Sequence, residues 1–298
     1  MNQLFFQLIS TVIVSKDIPK IKKTNLSTIK SLIDSFNVSD EKFYENKYYA
    51  KFNVNFNKKN AYRYFESKHI FPSIPKKLDL LFLPVLINSK KNEIVYFGEN
   101  PIYENWNSNK ENYHLLNYIL PTEEIENTQI FNNNIELIEE YNFEKIVKKY
   151  DLESYIILII YENKNKINVL SKLKLNNEYK IFNINYKDAD LQNEQYISRL
   201  IFELKNLYED EWKKLNLINT SIQLPLTLSL SSKNYDNVQL FEKTLEDLDL
   251  VSNFMVLSFN NSDIFYKVIY NGLPDKFFKE MEASGLKIEK NNETWKIK

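Results

Sequence analysis

The chain of 298 residues contains no cysteine, two histidines and three glycines. Without cysteine there is no disulfide framework and no thiol redox motif, a pattern compatible with cytoplasm or periplasm alike. With only His69 and His114 available, a structural zinc site or an iron–sulfur cluster lacks its ligand set. The glycines are Gly98, Gly272 and Gly285, so no G-x-G-x-x-G turn, Walker A loop or G-x-S-x-G nucleophile elbow can be written. Arginine is equally scarce: Arg63 and Arg199 stand against 37 lysines. Nucleic-acid sites favour Arg for bidentate contacts, and the net charge of −1 offers no basic excess, so nucleic acid is not an expected partner. The abundance of Lys and Asn alongside Ile, Tyr and Phe follows AT-rich codons and reads as coding drift. The longest purely apolar run, Tyr155 to Tyr161, is far short of the ~20 residues of a membrane helix. It reads as a buried strand, and no transmembrane segment is expected.

What is present fits a globular protein, with 43% hydrophobic and 27% charged residues and 39 basic against 40 acidic side chains. The length suits roughly two domains and is ample for a core. Carboxylates are plentiful, so a paired-carboxylate hydrolase is not excluded by counting. However, Glu123, Glu124 and Glu126, and Glu136, Glu139 and Glu140, read as solvated helix faces. His69 is spaced from Ala61 and Phe65 as a helix-face or helix-end residue, and His114 lies beside a strand. Neither is assigned a catalytic role, no metal ligand is assigned, and no cofactor is implied.

Periodicity orders the chain. Met1–Val14 places Leu4, Phe5, Leu8, Ile9, Val12 and Ile13 on one helical face. It has no basic leader region or small-residue cleavage site. Ser27 is placed to cap a second helix carrying Ile29, Leu32, Ile33 and Phe36. Strands follow at about 38–44 and 48–56; in the second, Phe52, Val54 and Phe56 alternate with Lys51, Asn53 and Asn55 as on a half-buried strand. A helix over about 58–69 leads to the apolar strand 78–87, read as covered on both faces. The middle of the chain then alternates strand and helix, arguing for parallel pairing. It has a hairpin partner near 94–97, a helix start at Asn100–Pro101, a strand at 115–120, a helix start at 121–124 and a strand at 155–161. An antiparallel meander (167–175, 179–186) and a long helix (190–215) close this part. The last residues read strand (221–230), helix (235–245), strands (251–259, 264–270), helix (274–283) and a terminal hairpin (286–289, 294–297), a ferredoxin-like β-α-β-β-α-β order. Pro274 opens the helix that Gly285 follows, the usual asymmetry of helix ends.

The expected architecture is therefore α/β (α+β): a central strand-helix-strand domain (78–218) between an incomplete N-terminal ferredoxin-like module (1–77) and a complete C-terminal one (219–298). An internal echo supports the pairing of modules. Shifted by 216 positions, Val38–Ile70 overlies Phe254–Leu286, with Phe43 on Phe259, Phe52 on Val268, Val54 on Tyr270, Ala61 on Phe277, Phe65 on Met281 and Ile70 on Leu286. Lys51/Lys267, Asn55/Asn271 and Glu66/Glu282 are identities. On this reading Met1–Val14 is the first helix of its module, the strand before it is missing, and Met1 is expected to lie inside a longer frame.

The segments Lys47–Phe56 with Lys58–Ile70, Leu81–Ile87, Glu99–Trp106, Phe143–Ile160 and Leu248–Trp295, together with the Asn-Pro followed by Trp106 and the Trp212-Lys213 pair, resemble an uncharacterised proteobacterial envelope family, domain of unknown function twenty sixty-six and its alphaproteobacterial relatives. The resemblance implies export to the periplasm and a signal peptide and first strand that this chain lacks. It carries no catalytic residue. Two functions follow as expectations. The first is a non-enzymatic envelope protein acting in binding or assembly with envelope proteins or polymers, through a recognition surface of Asn100, Pro101, Tyr103, Trp106 and Tyr113. The second is a hydrolase or small-ligand enzyme at the carboxyl edge of the central sheet, where 88–92, 98–106 and 121–124 gather.

Overall fold

A computed structural model describes residues 1–90, 93–95, 97–108, 111, 113–122, 137–219, 222–291 and 294–297. The protein is α+β and forms two compact units, each discontinuous in sequence. One comprises Met1–Phe6, Asp17–Ile74 and Asn216–Lys298; the other comprises Gln7–Lys16 and Pro75–Leu215. Most of the segments expected as separate terminal modules thus share one unit.

The unit holding Pro75–Leu215 is built on β3 (Leu78–Asn88), whose near-continuous apolar run is buried on both faces as expected of a central strand. One edge of β3 pairs in parallel with β6 (Tyr155–Asn163). The other is shared by two short strands: β4 (Glu93–Val95), antiparallel at Leu86–Asn88, and β5 (Leu116–Ile119), parallel at Leu78–Leu81. Strands β7 (Lys166–Leu175) and β8 (Glu178–Lys187) extend the sheet as an antiparallel meander. The apolar residues of β3 and β6 alternate between two cores. Leu80, Phe82, Ile156 and Leu158 face the long helix α7 (Glu194–Leu215), which contributes Leu200, Leu204, Tyr208 and Trp212; Leu81, Leu83, Ile157 and Ile159 face Ile146 and Val147 of α6 (Glu144–Lys149). The hairpin partner expected at 94–97 ends at Val95, and Phe97 opens a 3-10 turn. The helix start at Glu123–Glu124, and Glu126 and Glu136, lie outside the described residues.

The other unit carries α1 (Asn2–Val12) as far as Phe6, α2 (Ile18–Ile21), α3 (Leu26–Ser31), the hairpin β1 (Ile33–Tyr44) and β2 (Lys47–Phe56), and α4 (Lys58–Ser67). The expected second helix is shorter than its pattern. Asn25, not Ser27, caps it by accepting a hydrogen bond from the Thr28 N–H at 2.8 Å. Ile33 and Phe36 belong to β1 because Asn55 and Val54 are there to pair with this stretch. The rest of the unit is β9 (Leu224–Ser231), α8 (Tyr235–Asp247), β10 (Val251–Phe259), β11 (Asp263–Tyr270), α9 (Pro274–Ala283), β12 (Ile288–Asn291) and β13 (Thr294–Ile297). Its sheet order is β10-β11-β9-β13-β12. Strand β11 runs antiparallel between β10 and β9, so β9 and β10 flank it as parallel strands joined through α8. Strand β13 pairs in parallel with β9 and antiparallel with β12, which forms the edge.

The echo at 216 residues is a repeat of backbone geometry. Val38 pairs with Phe52 and Phe254 with Val268; Phe43 pairs with Tyr48 and Phe259 with Ile264. Both hairpins carry an irregularity in the same stretch, after Ser39 and after Val256. Helices α4 and α9 have corresponding bounds and bury corresponding residues, Ala61 and Phe65 against Phe277 and Met281. Each ends in a Schellman motif. Ile70 N–H donates to Phe65 O and His69 N–H to Glu66 O, as Leu286 donates to Met281 O and Gly285 to Glu282 O. The residue in the left-handed region is His69 (φ 55°) in the first copy and Gly285 (φ 86°) in the second.

Candidate interaction surface

Antiparallel pairing puts cross-strand partners on the same face, so the register of β1–β2 sorts its side chains. Ser35, Asn37 and Ser39 share one face with Lys51, Asn53 and Asn55, and these are linked by amide and hydroxyl hydrogen bonds such as Asn53 Nδ2 to Asn37 Oδ1 at 3.0 Å. The opposite face carries Phe36, Val38 and Phe43 against Val54, Phe52 and Tyr48. It is apolar and largely bare: Phe36 is 66%, Phe43 74% and Phe52 52% exposed. The alternation in β2 led to the expectation of a half-buried face; Val54 and Phe56 are half-buried, but Phe52 is not.

The second copy explains what is missing. There Tyr266, Val268 and Tyr270, which correspond to Ala50, Phe52 and Val54, are buried, while Phe259, the counterpart of Phe43, is exposed. Phe241 of α8 packs on the Tyr266 ring at 5.1 Å, and Phe277 of α9 on Tyr270 at 5.1 Å. The two tyrosines hydrogen-bond Glu242 and Glu280. In the first copy the residues matching the continuous helix α8 fall in the broken pair α2 and α3, and the position of Phe241 is taken by Asn25. The cover is thinner, so the sheet face stays open. Strand β10, an edge strand, adds Met255, Val256, Leu257 and Phe259 to the exposed apolar side chains of this unit. Strand β10 has neither charge nor proline along its length, and exposed apolar edge strands of that kind are the usual sites of strand pairing with other chains.

The recognition residues expected from sequence do not form a surface. Asn100 is fully buried: its Oδ1 accepts from Ile102 N–H at 3.0 Å, capping α5 (Pro101–Asn105), and its Nδ2 donates to Pro84 O at 3.2 Å. Pro84 lies in the gap between the β4 and β5 pairings, so an amide side chain takes the place of a strand there. Trp106 is fully buried and stacks on Phe82 at 3.7 Å between ring centroids. Pro101, Tyr103 and Tyr113 are half-buried; Tyr103 donates to Pro121 O at 2.7 Å, and Tyr113 stands edge-on to His114 at 4.9 Å. The corrected reading is that the Asn-Pro-x-x-x-x-Trp stretch locks a short helix onto the central sheet. Sequence reasoning missed Phe36, Phe43, Tyr48 and Phe52 because apolar alternation marks a face without saying whether anything covers it.

Near the carboxyl edge of the central sheet, the described residues Leu83, Val85, Phe97, Tyr103 and Pro121 line a cavity of about 10 Å³. A larger cavity of about 280 Å³ near the start of β5 is lined by Asp79, Glu111, His114, Tyr118 and Lys205 among others. Burial, with Lys205 and Lys213 nearby, lowers the His114 pKa to about 4. Below it Glu209 accepts the N–H groups of Leu115 and Leu116, and burial raises its carboxyl despite those bonds. A groove of about 710 Å³ lies in the other unit, lined by Asp34, Lys59, Arg63, Glu66 and Glu246 and crossed by the Lys58–Asp249 ion pair at 2.8 Å. Its lining charges are of both signs. No helix among the described residues is long and apolar enough to cross a membrane. No family model, curated protein or solved structure matches the chain.

Proposed function

We propose that this is a non-enzymatic binding or assembly protein that engages another polypeptide through the apolar face of β1–β2. The observation that carries this is the bare face of Phe36, Phe43, Tyr48 and Phe52, among which Phe52 is open where its counterpart on β11, Val268, is covered in the second copy. The family resemblance adds the compartment, the periplasm, and the partner class, an envelope protein or polymer. Aromatic side chains in this number on one face are the composition of a protein-binding hot spot. The test is site-specific photo-cross-linking in the native host, with a photoreactive phenylalanine at Phe43 and, as control, at the exposed Phe202 of α7. A discrete adduct at Phe43 that is absent at Phe202 and lost on Phe52→Asp is expected, in the periplasmic fraction. Equal labelling at both positions, or none, would overturn the reading.

A further inference from the structure

The repeat extends further towards the N-terminus than the hairpin. At the same shift of 216, Leu8–Ser15 (LISTVIVS) overlies Leu224–Ser231 (LPLTLSLS), with Leu8/Leu224, Thr11/Thr227 and Ser15/Ser231 identical. In the second copy this segment is β9, which pairs antiparallel along the outer edge of β11 from Asp263↔Ser231 to Tyr270↔Leu224. In the first copy the corresponding residues end α1 and belong to the other unit. There Ile9, Val12, Ile13 and Val14 are buried, Lys213 Nζ donates to the Ser10 and Ile13 carbonyls, and Asp210 accepts from Ser15. Strand β2, the counterpart of β11, is therefore left in a two-stranded sheet, and no other described strand pairs with it.

From this we infer that the outer edge of β2 is an acceptor for an added strand from a partner polypeptide, taken up antiparallel in the register that β9 uses on β11. The inference rests on the binding reading above and specifies its partner. Transposing the β9–β11 register places the incoming chain opposite Lys47–Val54, with four alternate residues opposite Tyr48, Ala50, Phe52 and Val54. On β9 those four positions are Leu230, Leu228, Leu226 and Leu224, with Ser229, Thr227 and Pro225 between them. The partner segment is thus an extended stretch of about seven residues with branched aliphatic side chains at every second position and small or polar ones between. Backbone hydrogen bonds to the free edge supply the pairing, and the alternate side chains extend the apolar face that Phe52 and Tyr48 begin, as in other strand-addition complexes. Phe52 is 52% exposed where its counterpart Val268, flanked by β9, is 0% exposed. That difference is what an absent neighbouring strand and a thinner helical cover leave behind.

The experiment uses the full chain and a fluorescent peptide carrying the β9 sequence LPLTLSLS between lysines. Binding is read by anisotropy and its location by backbone amide hydrogen exchange. Saturable binding with slowed exchange over Lys47–Val54 is expected, weakened at least about tenfold by Phe52→Asp or Tyr48→Asp and unchanged by Phe202→Asp. Circular dichroism and thermal melts confirm that each variant is folded. Protection at β10 instead of β2 would overturn the inference. So would concentration-dependent protection of β2 without peptide, which would make a second copy of the chain the occupant. Absence of peptide binding alongside a persistent Phe43 adduct would overturn strand addition and leave the binding reading standing; absence of both would remove the two together.

Discussion

Replacing His69 by glycine should stabilise the protein, although it removes a side chain. His69 sits at the residue after the α4 cap with φ 55°, and its counterpart after α9 is Gly285 with φ 86°. An L-residue in the left-handed region carries roughly 1–2 kcal/mol of Cβ strain that glycine avoids. Against this, glycine gains about 0.4–1 kcal/mol of backbone entropy in the unfolded chain. The difference is about 0.5–1 kcal/mol in favour of glycine, because the exposed imidazole occupies a helix end where only the main chain is engaged: His69 N–H to Glu66 O at 2.8 Å and Ile70 N–H to Phe65 O at 3.0 Å. The mirror substitution, Gly285→His, should destabilise by a similar amount, since nothing lies within 4 Å of a Cβ added there and the strain is purely in the backbone. Thermal denaturation followed by circular dichroism reads both, with a Tm change of about 2–4 °C per kcal/mol at this size. A His69→Gly variant that is no more stable than the parent, together with a silent Gly285→His, would refute the equivalence of the two helix ends.

Three further outcomes are expected. Trp106→Ala should destabilise by about 3–5 kcal/mol, because a fully buried indole stacked on Phe82 is lost; a surface recognition residue would change stability by less than about 0.5 kcal/mol, so equilibrium denaturation separates the two roles. Val268→Asp should prevent folding of its unit by burying an unpaired charge, whereas Phe52→Asp at the equivalent exposed position should leave the melt within about 1 kcal/mol of the parent. Finally, His114 binds its proton less readily folded, with a pKa of about 4, than unfolded near 6.5. Its contribution is complete above about 6.5 and is lost as pH falls towards 4, amounting to about 1–2 kcal/mol after allowing for its partial exposure. His114→Gln should flatten that part of the stability–pH curve, and an unchanged slope would assign the acid sensitivity elsewhere.

Much of the fold is written locally. The apolar run of β3 and β6, the alternation of β2, the spacing of Ala61 with Phe65 and the Pro274–Gly285 bracket of α9 each depend on residues within a few turns of one another, and the structure places these elements close to where the pattern does. The echo of Val38–Ile70 in Phe254–Leu286 was likewise legible, because equal binary patterns force equal register and equal helix faces. Burial was not legible in the same way. Trp106 and Asn100 have the composition of a recognition patch, and only the sheet beneath them, with its gap at Pro84, turns them into core. Phe52 and Val268 occupy the same place in the repeat, yet one is open and the other sealed by β9, α8 and α9. The sequence by itself determined the local elements and their duplication, since hydrogen-bond periodicity and side-chain alternation are short-range. Only the tertiary structure decided that LISTVIVS would end a helix in one unit while LPLTLSLS became a strand in the other, because that choice depends on which apolar surface each segment meets. The open edge of β2 is the consequence.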